Sequence, residues 1–285
     1  MTETTLRVTG FDSAGHPEKL PGTVDDYFTG PARRFAHIRR LIMEYETPIE
    51  EEGNRILGDF ALLRAFLADH DGALSVLIRP AEQMSSGATI QPAGQISSGV
   101  TIRSAEKMPI SEEIRGFGPG LRLFFPGYLY GFVEDTFARA IHHKIEGIGY
   151  GLRECVGKYE IRIREYDRMF LSVLKTDASV PEEAGRIALS RLLYPMNLWE
   201  EHGEAYRTYI RERETEVLTL ATRDTEEAEL LVSYLTEQEL VSPEAVKHVL
   251  PALADAAMAP VVAILLRYTG RSAASEENGG RMSLF

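Results

Sequence analysis

Val217-Leu218-Thr219-Leu220-Ala221, Leu230-Leu231-Val232-Ser233-Tyr234-Leu235, Val246-Lys247-His248-Val249-Leu250 and Val261-Val262-Ala263-Ile264-Leu265-Leu266 follow one another near the C-terminus. In each stretch the apolar residues recur at steps of three and four, the spacing of an amphipathic helix. Arg223 to Thr225 separates the first pair as a turn, and Ser242-Pro243-Glu244 opens the second pair with a cap and a first turn. Two helix couples result. Each is too short to bury its own apolar face, so the second is expected to stack on the first.

These residues, over about 214–270, resemble ankyrin-type repeats. Ala221 and Ala254 stand as the small residues between paired helices, and Leu230-Leu231 and Val261-Val262 open each second helix. The Thr-Pro-Leu-His opening and the glycine that ends the first helix in that family are missing. Degenerate terminal repeats and another helical-hairpin family both stay open. The resemblance implies protein binding through a concave face and not catalysis, with Tyr234 and Leu265 as candidate partner contacts in 197–270.

Working back from the couples, Asn197 and Glu200 have capping-box spacing, which starts a helix through Trp199, Tyr206 and Ile210. Pro181-Glu182-Glu183 reads as the first turn of another, and Ile163, Tyr166, Phe170 and Leu174 line one face of a third. Phe132 to Glu146 has helical period and is broken by Gly147, Gly149 and Gly151. A helical segment over 131–196 is therefore expected to pack on an α+β lobe at 31–130. In that lobe Phe35, Ile38, Leu41, Ile42 and Tyr45 fit one helix. Ile56, Leu57, Phe60, Leu63 and Leu67 fit a second, stopped by His70-Asp71-Gly72.

Leu74-Val76-Ile78, Ala88-Ile90, Val100-Ile102 and Leu121 to Phe125 read as strands of a small antiparallel sheet. Ser85-Ser86-Gly87-Ala88-Thr89-Ile90 recurs as Ser97-Ser98-Gly99-Val100-Thr101-Ile102, a tandem repeat of twelve residues over 85–108. It reads as a duplicated hairpin or as rungs of a small β-solenoid. Residues 1–30 read as an extended arm and 271–285 as a disordered tail. The fold class is thus α+β, with an all-helical C-terminal lobe ending in two ankyrin-like hairpins.

The chain has 285 residues, enough for two cores, and a formal charge of −12, which disfavours a phosphate backbone as partner. No nucleic acid is expected. Cys155 is the only cysteine, so no internal disulfide forms and a reducing, cytoplasmic setting is expected. The polar start lacks a secretory signal, and the most apolar window, Leu121 to Val133, is short and contains Arg122 and Pro126. No membrane association is expected.

On a helix, Asp135, Arg139, His142 and Glu146 share a stripe, and His142, His143 and Glu146 are weak candidates for a metal site. An exposed row of ion pairs explains the same residues. Gly147-x-Gly149-x-Gly151 misses the dinucleotide fingerprint at Leu152, and Cys155 reads as an inert buried thiol. Phe117, Phe124, Phe125, Tyr128, Tyr130, Phe132 and Phe137 crowd one segment. They read as core, apart from Tyr128 and Tyr130, which the flanking Gly127 and Gly131 offer as surface contacts. The expectation is a non-enzymatic interaction or scaffold protein without cofactor, binding another protein through its helical repeat lobe. A small metal-assisted hydrolase using His142, His143 and Glu146 is one alternative, and a structural subunit of a larger assembly is another.

Overall fold

A computed structural model describes residues 5–11, 38–45, 49–80, 120–135, 140–176, 181–224, 227–255 and 258–281. In chain order the strands are β1 (Thr5–Phe11), β2 (Arg40–Tyr45), β3 (Glu50–Glu52), β4 (Arg55–Leu57), β5 (Leu74–Pro80), β6 (Leu121–Phe125), β7 (Leu129–Asp135), β8 (Ala140–Glu146) and β9 (Glu160–Ile161). The helices of the first half are α1 (Ala61–Asp69), α2 (Gly149–Glu154) and α3 (Ile163–Thr176). Those of the second are α4 (Pro181–Leu193), α5 (Glu200–Glu212), α6 (Glu214–Arg223), α7 (Ala228–Glu237), α8 (Pro243–Asp255) and α9 (Ala259–Arg281). The class is α+β. The tandem repeat at 85–108 lies outside the described residues.

The central sheet has the order β1-β2-β5-β6. It is mixed, where an antiparallel sheet was expected: β1 pairs parallel with β2 and β2 parallel with β5, while β6 runs antiparallel to β5. Parallel neighbours need a long crossover, and α1 lies in the one joining β2 to β5. The expected helix at 35–45 is strand β2 over its second part. Leu41, Met43 and Tyr45 enter the core in alternation, so a pattern that fits steps of three and four is resolved by the sheet at a period of two. Part of the expected arm is β1, docked along β2.

One side of the sheet buries Leu41, Met43, Val76, Ile78, Leu121, Leu123 and Phe125. There the Tyr45 ring meets Phe60 at 6.1 Å, and Phe125 meets Tyr166 of α3 at 5.9 Å. On the other, Arg186 of α4 lies 5.7 Å over the Phe124 ring. The edge strand β6 is covered by a bridge from Leu121 to Pro195 and by one hydroxyl: Tyr166 Oη accepts from Phe124 N at 3.0 Å and donates to Phe124 O at 2.6 Å.

Behind the sheet α3, α4 and α5 are tied by a fully buried charge pair. Arg191 donates to both oxygens of Asp167, at 2.8 and 3.1 Å, and Tyr206 Oη donates to Asp167 Oδ1 at 2.7 Å. The remaining guanidinium hydrogens reach the carbonyls of Tyr194 and Met196. The expected cap at Asn197 is displaced: α5 starts at Glu200 behind Trp199, without a side-chain cap. Asn197 adopts a left-handed φ of 51° and its amide donates to Gly53 O at 3.0 Å.

The two C-terminal couples form and stack: α6 packs against α7 and α8, and α9 against α7 and α8. Glu214, in the first turn of α6, accepts from Ser242 N and Oγ at 2.7 Å each, while Ser242 Oγ caps α8 by accepting from Ala245 N at 3.2 Å. Tyr268 Oη donates to Val241 O at 2.6 Å. α9 runs to Arg281, so the expected disordered tail is helical that far. Arg40 of β2 pairs with Asp224 at 3.3 Å and Arg122 of β6 with Glu227 at 2.5 Å, joining sheet to stack. Two cores were expected, yet the buried apolar residues from Ile38 to Leu265 make one cluster. Among the described residues no helix is long and apolar enough to cross a membrane.

Candidate interaction surface

The segment expected to be a helix from Phe132 to Glu146 is instead half of a β-ribbon, in which β7 pairs antiparallel with β8. Its aromatic and β-branched residues favour an extended chain, and the backbone groups of the two strands satisfy each other. The register sets Tyr130 opposite Ile145 and Leu129 opposite Glu146. Among the described residues no third strand joins this pair.

The ribbon leaves the body through a narrow root. Pro126 and Gly127 lead in from β6, and Gly147, at φ +94°, leads out towards α2. The two sides come so close that a Cβ on Gly149 would lie 2.0 Å from Pro126 O, which explains why the position has no side chain. Tyr128 N donates to Asp71 O at 3.0 Å.

Arg153 of α2 holds this root together. Its Nη1 donates to Pro126 O at 2.5 Å and Gly149 O at 2.7 Å, bridging both sides of the ribbon. Nε donates to His70 O at 3.2 Å and Nη2 to Gly72 O at 2.6 Å. The guanidinium also lies 4.9 Å from the Tyr128 ring centroid, a cation–π contact. Burial pushes this group down to about 10 from its ordinary value, so it stays charged at neutral pH.

Beyond the root, apolar side chains face water. Leu129 is 70% exposed, Tyr130 58% and Ile145 41%. Tyr130 and Ile145 share one face of the ribbon and Leu129 lies on the other, while Tyr150 of α2, also exposed, meets the half-buried Tyr128 edge-on at 5.5 Å. A two-stranded ribbon alone in water is marginally stable, and clustered exposed apolar groups mark contact sites.

The other candidates fare differently. Tyr234 and Leu265, expected as partner contacts, are buried, because α7 and α9 use those side chains to pack within the stack. Neither is offered at the surface, whereas the neighbouring Leu266 of α9 is exposed. Of the seven crowded aromatics, Phe124 and Phe125 are core as expected. Phe117, Phe137 and the side chain of Phe132 lie outside the described part. His142, His143 and Glu146 are all in β8, where positions one or three apart fall on opposite faces and positions four apart lie about 13 Å apart along the strand. The side chains of the two histidines lie outside the described part, Glu146 is exposed, and among the described residues no group of His, Cys, Asp or Glu is gathered for a metal.

Cys155 is buried with its sulfur 3.8 Å from that of Met169, and burial pushes the thiol up to about 12, so it is no thiolate nucleophile at neutral pH. Sequence reading missed Leu129, Ile145, Tyr150 and Arg153. The aromatic and β-branched residues of Leu129-Tyr130-Gly131-Phe132-Val133 could have revealed Leu129 as a strand residue; no local signal marks Arg153. Compared with protein-family models, curated proteins and solved structures, the chain matches none of them.

Proposed function

We propose that this chain is a non-enzymatic interaction protein whose ribbon β7–β8 is the contact element and whose stacked helical couples serve as its scaffold. The observation that carries the reading is the exposed cross-strand pair Tyr130 and Ile145, on one face of a ribbon whose root is locked by Arg153. The partner is another protein: the net charge of −12 argues against nucleic acid, and an apolar and aromatic patch suits a protein surface. The single free thiol suits the cytoplasm.

A benzophenone side chain at position 130 tests this. Cross-linking in cells should give one product band, lost on Ile145→Asp and kept on Leu174→Asp, a control at another exposed leucine. A band that survives Ile145→Asp, or none at all with the fold intact, overturns the reading.

A second reading, closer to the ankyrin-like resemblance, has the helical stack itself bind, supported by the exposure of Leu266 on α9. Leu266→Asp, and not Ile145→Asp, would then abolish association. The metal-assisted hydrolase using His142, His143 and Glu146 is the reading that elemental analysis of the purified protein would restore.

A further inference from the structure

We propose that His70 and Arg153 form a protonation-responsive latch, which holds the root of the ribbon closed while His70 is neutral and loosens it when His70 takes up a proton. The latch rests on the reading of the ribbon as the contact element for its purpose, though not for its chemistry.

Three consecutive carbonyls form the floor of the root. His70 O accepts from Arg153 Nε, Asp71 O from Tyr128 N, and Gly72 O from Arg153 Nη2. The His70 ring is buried and stacks on Phe66 of α1 with centroids 5.6 Å apart. Its Nε2 is 2.9 Å from Ile38 O and its Nδ1 is 3.1 Å from Gly72 O. A neutral imidazole has one N–H, so one of these nitrogens donates and the other turns a lone pair to a carbonyl. Protonation lets both donate, but it places a second cation on the carbonyl of Gly72 that Arg153 already uses. That oxygen has a lone pair for each donor, so what changes is the charge: two cations then stand side by side at Gly72 O where there was one.

The charged and titratable groups around the ring come from each packed element. Arg153 belongs to α2 and Arg39 to the lead-in of β2, and both oppose a charge on His70. Asp71 is in the same loop, and Tyr128 at the ribbon root and Glu183 of α4 act on Arg153. Burial is the largest influence and, with the two arginines, holds His70 below its ordinary value against the pull of the two carbonyls. A group with a depressed value in the fold leaves stability intact above its unfolded value, near 6.5, and removes it as pH falls below that. The window is therefore mildly acidic.

Amide exchange at Tyr128 in the full chain reads the latch without any partner. Protection, corrected for intrinsic chemistry, should fall about tenfold between about pH 7 and about pH 5. In His70→Gln, which has no proton to gain, it should be flat. Equal falls in both proteins, or no fall in the wild type, overturn the proposal. Should His70→Gln not fold, the imidazole NMR titration of the wild-type protein decides instead: His70 must titrate below its ordinary value, and titration at or above it overturns the latch. Failure here leaves the ribbon free to be a contact element, and failure of the cross-linking test leaves the latch as it stands.

Discussion

The carboxylate of Asp167 receives the guanidinium of Arg191 side-on at 2.8 and 3.1 Å, with both side chains out of contact with water. The pair survives burial because its remaining groups are also met, by Tyr206 Oη and by the carbonyls of Tyr194 and Met196. Breaking one partner leaves the other charge stranded. Arg191→Ala is expected to cost about 3–5 kcal/mol in urea unfolding. In a double-mutant cycle, Asp167→Leu with Arg191→Met should lose clearly less than the sum of the single changes.

Gly149 and Gly131 make a matched comparison. A methyl at position 149 meets Pro126 O at 2.0 Å and Arg153 Nη1 at 2.7 Å, while one at 131 meets nothing within 4 Å. Gly149→Ala should lower stability by about 1–3 kcal/mol, or more where the backbone cannot shift. Gly131→Ala should stay within about 0.5 kcal/mol of the parent. Thermal unfolding followed by circular dichroism separates the two.

Adjacent leucines on α9 should behave oppositely. Leu265 is buried and Leu266 exposed. Leu265→Ala should cost about 2–5 kcal/mol through the cavity it leaves, against about 0.5 kcal/mol or less for Leu266→Ala. Equal effects in denaturant melts would contradict the described packing of the second couple on the first.

The stack is also pinned by Glu214 and Ser242. Ser242→Ala removes a helix cap and a hydroxyl partner together and should cost about 1–2 kcal/mol. Because Glu214 accepts from Ser242 N as well, Glu214→Gln should lose part of this and Glu214→Ala more. A measured coupling between positions 214 and 242 near zero would count against the bridge.

The helical couples are legible in the sequence because Val217, Leu231, Val246 and Leu265 carry a long, repeated period that only one arrangement satisfies, and Ser242 announces its cap. The strands at 40–45 and 129–146 are not. Ile38, Leu41, Ile42 and Tyr45 fit steps of three and four while Leu41, Met43 and Tyr45 alternate, and the choice falls to β1 and β5, which lie far off in sequence and flank β2 in space. Likewise Phe132 to Glu146 reads as a helix until the pairing of Ala140 to Glu146 with Leu129 to Asp135 is known. For the contact surface, Tyr130 is signalled by its glycine neighbours, whereas Tyr234 misleads because its burial is set by neighbours far off in sequence, Arg207 of α5 among them. Arg153 gives no signal, since the carbonyls that hold it come from Pro126, Gly149, His70 and Gly72, spread along the chain.

The hydroxyl of Tyr166, placed on both backbone groups of Phe124, acts as a stopper on the last strand of the sheet. That margin lies inside the fold, with Tyr166 wholly buried and Leu121 bridged to Pro195 further along the strand, so water cannot take the hydroxyl's place. Tyr166→Phe should therefore strand both backbone groups of Phe124 inside the fold, so a single phenolic oxygen spares the interior two unmet polar groups.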